Sequence, residues 1–340
     1  MTEQASEEQV VGLQPGERAP DMVLPDANGT PVRWYGQAGG KPGLVVVADA
    51  DSSAVLADLG KGLSDRSELT VHVIGPSALN GHTLDLPLLQ DDQGRAATAF
   101  RTQGEPTAFL LDPNLRVVDT LPLTDGIALA QAARDLMADT EAAQSGGREI
   151  DLQAPVLTVP NVLSASQCAD LMRVWEEEGN QATGVEASTQ GARGEQLQTK
   201  AKRRRDHVVT DPARTQQLAQ TIGRRVMPEL RKAFAYRAKR FEGFEIACYE
   251  AEGRGFFRAH RDNLSPSTAH RRFALTLNLN EDFDGGQLRF PEYGADRYRP
   301  PAGAALLFSC SHLHEVLDVT AGRRFVLLSF LFADEPRQAA

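Results

Sequence analysis

Between Phe244 and Phe332 the chain repeats one pattern: a short run with apolar side chains at alternate positions, closed by glycine, proline or polar residues. The runs are Phe244–Tyr249, Phe256–His260, Arg272–Asn280, Gly286–Phe290, Ala304–Phe308 and Phe325–Phe332. Successive side chains of a strand point to opposite faces, so this period predicts strands that must bury at least one face. Gly253-Arg-Gly255, Phe283-Asp-Gly-Gly286 and Pro300-Pro-Ala-Gly303 are the expected turns. Many short strands separated by turns indicate an antiparallel sandwich or barrel. A double-sheet jelly roll of this kind has a mouth into which inward side chains of several strands converge.

Residues suited to chemistry fall inside this region. His260-Arg-Asp262 puts an imidazole and a carboxylate two positions apart, on one side of an extended segment. A divalent first-row metal that keeps open positions is commonly held by two histidines and one carboxylate. His314, 52 residues after Asp262, is the candidate third ligand. Arg324 opens the apolar Phe325–Phe332 run, and a cation there can clamp a carboxylate beside the metal. Taken singly, a surface pair accounts for His260 and Asp262, and a satisfied turn histidine for His314. Those accounts leave Arg324 and the glycine turns unexplained. Arg323 competes with Arg324; if Phe325 and Leu327 share one face, Arg324 lies on the other with Val326 and Leu328.

Upstream, Pro155–Pro160 reads as a short strand, and Ser164 with Gln167 three residues on forms a capping box for a helix reaching about Glu178. Thr215–Arg231 has helical spacing, with Leu218, Ile222, Val226 and Leu230 on one face. Between them, Gly191–Lys202 is polar, and Lys202-Arg-Arg-Arg205 is a charge run with two readings: a solvated loop entering a strand, or a positive lip, Arg203 and Arg204, that orders an anionic or peptide substrate.

At 340 residues the chain exceeds the usual size of one domain, and the Gly-Gly and mixed charges near Ser145–Arg148 mark a boundary. Before it, Gly16–Gly29 and Val32–Trp34 form an opening hairpin, while Pro42–Ala48 is a continuous apolar run, as in a strand buried on both faces. Ser53–Leu63 is helical, Thr70–Ile74 a strand, Pro106–Asp112 and Leu115–Asp119 an antiparallel pair, and Ile127–Ala142 a closing amphipathic helix.

Composition excludes several classes. Cys168, Cys248 and Cys310 are scattered and form no CxxC pair, against a disulfide framework or zinc site and in favour of a reducing cytoplasm. The net charge of −10 disfavours nucleic acid, Lys200–Arg205 being a local exception. The acidic start has no signal-peptide pattern, and no run reaches membrane-spanning length.

The ordered set Ala247-Cys-Tyr249, His260-Arg-Asp262-Asn263, Leu279-Asn280, Gly285-Gly286-Gln-Leu-Arg-Phe290, Pro301-Ala-Gly303, His314-Glu-Val316 and Arg323-Arg324-Phe325 resembles the iron(II)- and 2-oxoglutarate-dependent oxygenases, in particular their prolyl-hydroxylase-like branch. The resemblance implies a domain over residues 153–335 with a double-stranded β-helix core at about 241–335. It implies Fe(2+) on His260, Asp262 and His314, and Arg324 gripping the distal carboxylate of 2-oxoglutarate. Tyr249, Thr276 and Asn278 are further cofactor contacts, although the family often has Tyr where Asn278 stands. Dioxygen is the co-substrate, ascorbate a possible reductant, and succinate and carbon dioxide the co-products. Hydroxylation of a C–H bond in a peptide, protein (prolyl included) or small molecule is the implied outcome, with neither nucleic acid nor membrane as partner.

Gly16-Glu-Arg-Ala-Pro-Asp21, the apolar strand ending at Ala48 and Glu105-Pro106-Thr107–Asp112 resemble the thioredoxin-like fold of peroxiredoxins, over residues 14–142. The resemblance makes Pro106 a cis proline facing the reactive cysteine. Asp49-Ala-Asp-Ser-Ser53 stands where that cysteine should be, and none occurs before Cys168. A peroxidase needs a thiolate, so an α/β scaffold without redox activity is expected ahead of the α+β jelly-roll domain. The alternative for the whole chain is a non-catalytic interaction scaffold, against which the His-Asp-His set and Arg324 speak.

Overall fold

A computed structural model describes residues 11–63, 66–81, 86–144, 146–147, 149–183, 185–189, 192–196 and 201–333. The chain divides into two units, Met1–Arg148 and Glu149–Ala340. Ser145, Arg148, Gly191 and residues 197–200 lie outside the described residues. Among the described residues no helix is long and apolar enough to cross a membrane.

The apolar run of the first unit becomes the central strand Gly43–Val47, buried at every position. Leu44 and Val46 pack into one apolar cluster, Val45 and Val47 into another, so the strand has a core on each face. The sheet order is Leu88–Gln90, Thr70–Gly75, Gly43–Val47, Thr107–Leu111 and Val117–Pro122. The first three strands run parallel, Thr107–Leu111 pairs antiparallel with Gly43–Val47, and Val117–Pro122 pairs antiparallel with Thr107–Leu111. Helices Ser53–Gly62 and Gly126–Gln144 contribute Leu56, Leu59, Leu129 and Ala133 to one cluster. Asp49, in the expected nucleophile region, starts a helical turn: its Oδ1 accepts from the Asp51 amide at 3.1 Å and the Ser52 hydroxyl at 2.6 Å. No described peptide bond is cis, that before Pro106 included, where the peroxiredoxin resemblance implied one.

In the second unit, Ala165–Glu177 begins with the expected capping box: Ser164 Oγ accepts from the Gln167 amide and Gln167 Oε1 from the Ser164 amide. The longer helix, Pro212–Phe234, starts three residues before the apolar spacing does, because Asp211 caps it and Pro212 takes its first position. Its Leu218, Ile222, Val226 and Leu230 are buried together with Leu171, Val174 and Trp175 of the first helix.

Those helices cover one face of a nine-stranded sheet. Its main path runs Leu157–Val159, Ala305–Ser309, Phe273–Asn278, Val319–Phe332, Glu245–Glu250, Arg205–Val208, Gln181–Ala182. Arg240–Phe241 and Phe283–Gly285 also pair with Val319–Phe332, and the second of these corrects the turn expected there. Alternation assigns the faces. Ile246, Cys248, Leu275, Leu277, Phe325 and Leu327 pack under the helices. Ala247, Tyr249, Ala274, Leu306, Phe308 and Val326 form a second cluster with Leu288 and Val316 of a five-stranded sheet. That sheet is ordered Lys202–Arg203, Phe256–His260, His314–Val316, Leu288–Arg289, Arg297–Tyr298. The strand expected at Phe325–Phe332 begins at Val319, and the one expected at Gly286–Phe290 shrinks to Leu288–Arg289.

Candidate metal centre

Neighbouring antiparallel strands of the five-stranded sheet carry the two imidazoles. His260 ends its strand and pairs across it with His314, the first residue of the next. Asp262 is not on the strand, as the extended reading required; the strand ends at His260 and the chain turns. In that turn the Asp262 amide donates to the Cys310 carbonyl at 3.0 Å, which anchors the residue beside the His314 segment. Its Oδ1 lies 3.4 Å from His260 Nε2 and its Oδ2 3.5 Å from His314 Nε2. One ligand atom from each of the three residues falls within 4.8 Å of the others.

Both rings are held at the far nitrogen. His260 Nδ1 is 2.8 Å from the Arg258 carbonyl, and His314 Nδ1 is 3.0 Å from the His312 carbonyl. A carbonyl only accepts, so Nδ1 carries the hydrogen and Nε2 turns its lone pair toward Asp262. Asp262 Oδ2 is buried with no hydrogen-bond partner. Burial pushes that carboxyl up, but His314, His260 and Arg271 together hold it below its usual value. Burial lowers His314, which favours the neutral imidazole that metals bind. A buried anionic oxygen facing two nitrogen lone pairs is repulsive without a cation among them. The donor set therefore fits a divalent first-row metal. Phe257 stacks on His260 with centroids 3.5 Å apart, and Phe308 packs on His314 at 4.6 Å, giving the centre apolar walls.

A carboxylate that the sequence did not single out joins the two ligand-bearing segments. Glu292 pairs with Arg261, between His260 and Asp262, through Nη2 at 2.7 Å and Nη1 at 3.1 Å. It also accepts from the Leu313 amide, next to His314, at 2.8 Å. The Arg261 guanidinium first, and then the Leu313 amide, lower the Glu292 pKa to about 2. Arg271 was missed too: it donates to the Asp262 carbonyl at 3.4 Å and is held by Glu242. Glu292 and Arg261 are 31 residues apart and pair only through the fold, so no local pattern announces them.

Arg324 lies on the face opposite Phe325 and Leu327 and is 2% exposed. Its Nη2 donates to Asn278 Oδ1 at 3.0 Å, and its guanidinium carbon is 5.6 Å from the Tyr249 ring centroid. No carboxylate of the described residues pairs with it, and burial lowers its pKa to about 10. Asn278 is spent on holding Arg324, since its amide nitrogen donates to the Pro300 carbonyl at 2.6 Å. Thr276 is buried on the same face. Gly286, at φ +67°, leaves room for Arg324: a Cβ there would stand 3.0 Å from Arg324 Cδ and 2.9 Å from Val319 Cγ2. Arg323 points the other way, exposed and paired with Glu176 at 2.8 Å.

The charge run does not form one lip. Arg203 is exposed, donates to the Gly253 carbonyl and lies over the Phe256 ring. Arg204 turns inward, with Nε 3.0 Å from Asp206 Oδ2 and Nη1 3.1 Å from Tyr249 Oη. Lys202 is buried as well, 3.5 Å from Asp206 Oδ2, and burial followed by the nearby Arg204 lowers its pKa to about 8. The cause is a change of sheet: Lys202–Arg203 belongs to the five-stranded sheet and Arg205–Val208 to the nine-stranded one, so Arg204 sits where the chain crosses between them.

Residues 244–332 match the 2OG-Fe(II) oxygenase superfamily. A PKHD-type hydroxylase of Synechococcus sp. (strain JA-2-3B'a(2-13)) is 36% identical over 104 residues, 28% of this chain and 46% of that protein. The chain thus spans about half the length of that relative. A PKHD-type hydroxylase of Acinetobacter baumannii (strain SDF) is 30% identical over 174 residues, 49% of this chain and 73% of the relative. Among solved structures, a Pseudomonas putida prolyl-4-hydroxylase is similar over 54% of this chain and 95% of its own, with 21% identity and a TM-score of 0.41.

Proposed function

Because the chain belongs, through its second unit, to the 2OG-Fe(II) oxygenase superfamily, we propose that it is an iron(II)- and 2-oxoglutarate-dependent dioxygenase that hydroxylates a C–H bond of a peptide, protein or small-molecule substrate. The observation that carries the cofactor assignment is Arg324, a buried guanidinium without a carboxylate partner among the described residues, on the inner face of the jelly roll that bears the His-Asp-His cluster. A buried cation of this kind is costly unless a ligand supplies the anion.

In this reading His260, Asp262 and His314 hold the metal, and Arg324 grips the distal carboxylate of 2-oxoglutarate. Iron and 2-oxoglutarate bound there, with dioxygen, supply oxidative decarboxylation to succinate and carbon dioxide coupled to hydroxylation, ascorbate serving as rescue reductant. The chain's own residues do the rest. The Arg258 and His312 carbonyls orient the ligating nitrogens, Asn278 fixes one arm of the Arg324 fork, and Phe257 and Phe308 exclude water from the rings.

A peptide or protein substrate, prolyl included, is proposed by kinship with the prolyl-hydroxylase-like branch, with exposed Arg203 as a substrate contact. The first unit is proposed to be a thioredoxin-like scaffold without redox activity, since Asp49 caps a helix where a thiol would act. The test is titration of 2-oxoglutarate into anaerobic iron(II)-loaded protein, followed by its metal-to-ligand charge-transfer absorbance and by succinate release once oxygen is admitted. Absence of the absorbance in protein shown to bind the metal overturns the cofactor assignment.

A further inference from the structure

Tyr249 is 2% exposed, and two guanidinium groups reach it, one from a strand that flanks its own and one from the residue just before the strand on the other side. Arg324 is its direct cross-strand partner, with Cζ 5.6 Å from the ring centroid. Arg204 comes from the other side, one residue before the strand that pairs Arg205 with Cys248, with Cζ 5.8 Å from the same centroid. The two contacts differ in kind. Arg324 lies over the ring without bonding the hydroxyl, whereas Arg204 Nη1 donates to Tyr249 Oη at 3.1 Å. Asp206, itself buried, and Glu245 hold that guanidinium through Nε at 3.0 Å and Nη2 at 3.4 Å.

A guanidinium donates and never accepts. The phenol oxygen therefore receives Arg204 on one side and must offer its own hydrogen elsewhere. Among the described residues no acceptor takes it. Tyr249 packs in the apolar cluster between the two sheets, the side on which Arg324 also lies, so the unspent donor belongs to the inner space rather than to bulk solvent.

We infer that Arg204 is a positioning residue for the cofactor: by occupying the acceptor side of Tyr249 Oη, it turns the hydroxyl hydrogen toward the anion that Arg324 binds. This rests on the 2-oxoglutarate reading above and replaces the substrate-lip role that adjacency to Arg203 suggested for Arg204. It divides the two buried arginines by task. Arg324 supplies charge to the ligand directly, and Arg204 acts only through the phenol.

A double-mutant cycle tests the division. The dissociation constant of 2-oxoglutarate is measured by charge-transfer absorbance in anaerobic iron(II)-loaded wild type, Arg204→Met, Tyr249→Phe and the double variant. Iron affinity is measured separately. Coupled neighbours of this kind shift affinity by roughly 3- to 100-fold, so each single variant should weaken 2-oxoglutarate within that range at unchanged iron affinity. The double variant should bind no worse than Tyr249→Phe alone. Arg204→Lys, which keeps a cation beside Asp206 without the guanidinium fork, serves as second variant if Arg204→Met does not fold, and should show the same dependence on Tyr249. An Arg204 effect that persists undiminished in the Tyr249→Phe background, or no effect at all while wild type binds, overturns the inference alone. Wild-type protein that loads iron but does not bind 2-oxoglutarate overturns the parent reading together with it.

Discussion

Arg324 carries a full charge into the interior and meets there an amide oxygen and an aromatic face but no carboxylate of the described residues. Deleting one partner of a buried, hydrogen-bonded charge pair costs about 2–5 kcal/mol, which is roughly 30- to several-thousand-fold in a dissociation constant. Arg324→Ala should weaken 2-oxoglutarate by that factor at nearly unchanged iron affinity, with Arg324→Lys recovering part of it because an ammonium lacks the fork. Arg323→Ala should leave both affinities near wild type, since its pair with Glu176 is exposed. Equilibrium titration of the three variants checks this. Which of the two arginines turns inward was legible in the sequence because Phe325 and Leu327 needed the helix-covered face, which sent Arg324 to the other. The difference between Arg203 and Arg204 was not legible: alternation holds only along one strand, and the chain changes sheets between them.

The centre is built from segment ends rather than strand middles. His260 ends one strand, His314 begins another, and Asp262 reaches them from a turn pinned by the Cys310 carbonyl. The triad itself could be read from residue types and spacing, but not the reason that Asp262 faces the rings, which lies in a hydrogen bond to a residue 48 positions away. Glu292 is the other long-range device, one carboxylate holding Arg261 and the Leu313 amide at once. Glu292→Gln keeps an acceptor for that amide but loses the ion pair. It should weaken manganese(II) or iron(II) binding several-fold while leaving 2-oxoglutarate affinity at saturating metal unchanged. Metal affinity equal to wild type, measured by competition with a chelator, would show that the two segments hold their places without the clip.

At the scale of the chain the two units carry separate expectations. In the first, Trp34 Nε1 donates to His72 Nδ1 at 3.3 Å, and burial lowers the His72 pKa to about 4. The unfolded histidine takes up a proton near pH 6.5 and the folded one does not, so stability present above that pH is lost as pH falls toward about 4. At about 1.4 kcal/mol per pH unit, the loss between pH 6.5 and 5 is about 2 kcal/mol. Denaturant unfolding followed by Trp34 fluorescence in a Trp175→Phe background should show it. His72→Gln, which keeps an acceptor but does not titrate, should flatten the slope. The same unit, as residues 1–145, should consume no peroxide with a thiol reductant, since it contains no cysteine; turnover above a no-protein control would refute the scaffold assignment.

The burial of Arg324 parts the charge that holds a dianion from the charge that an approaching dianion meets. Residues 149–340 carry 26 Lys and Arg against 25 Asp and Glu, a formal +1, so a dianion nears a unit close to neutral and reaches the guanidinium only where mobile ions do not follow. Neither capture nor retention of 2-oxoglutarate should then answer strongly to ionic strength. In stopped-flow experiments from about 0.05 to about 0.5 M salt, where the screening length shrinks to a few ångströms, the association rate should change little. The dissociation rate, set by the dry interior, should stay constant.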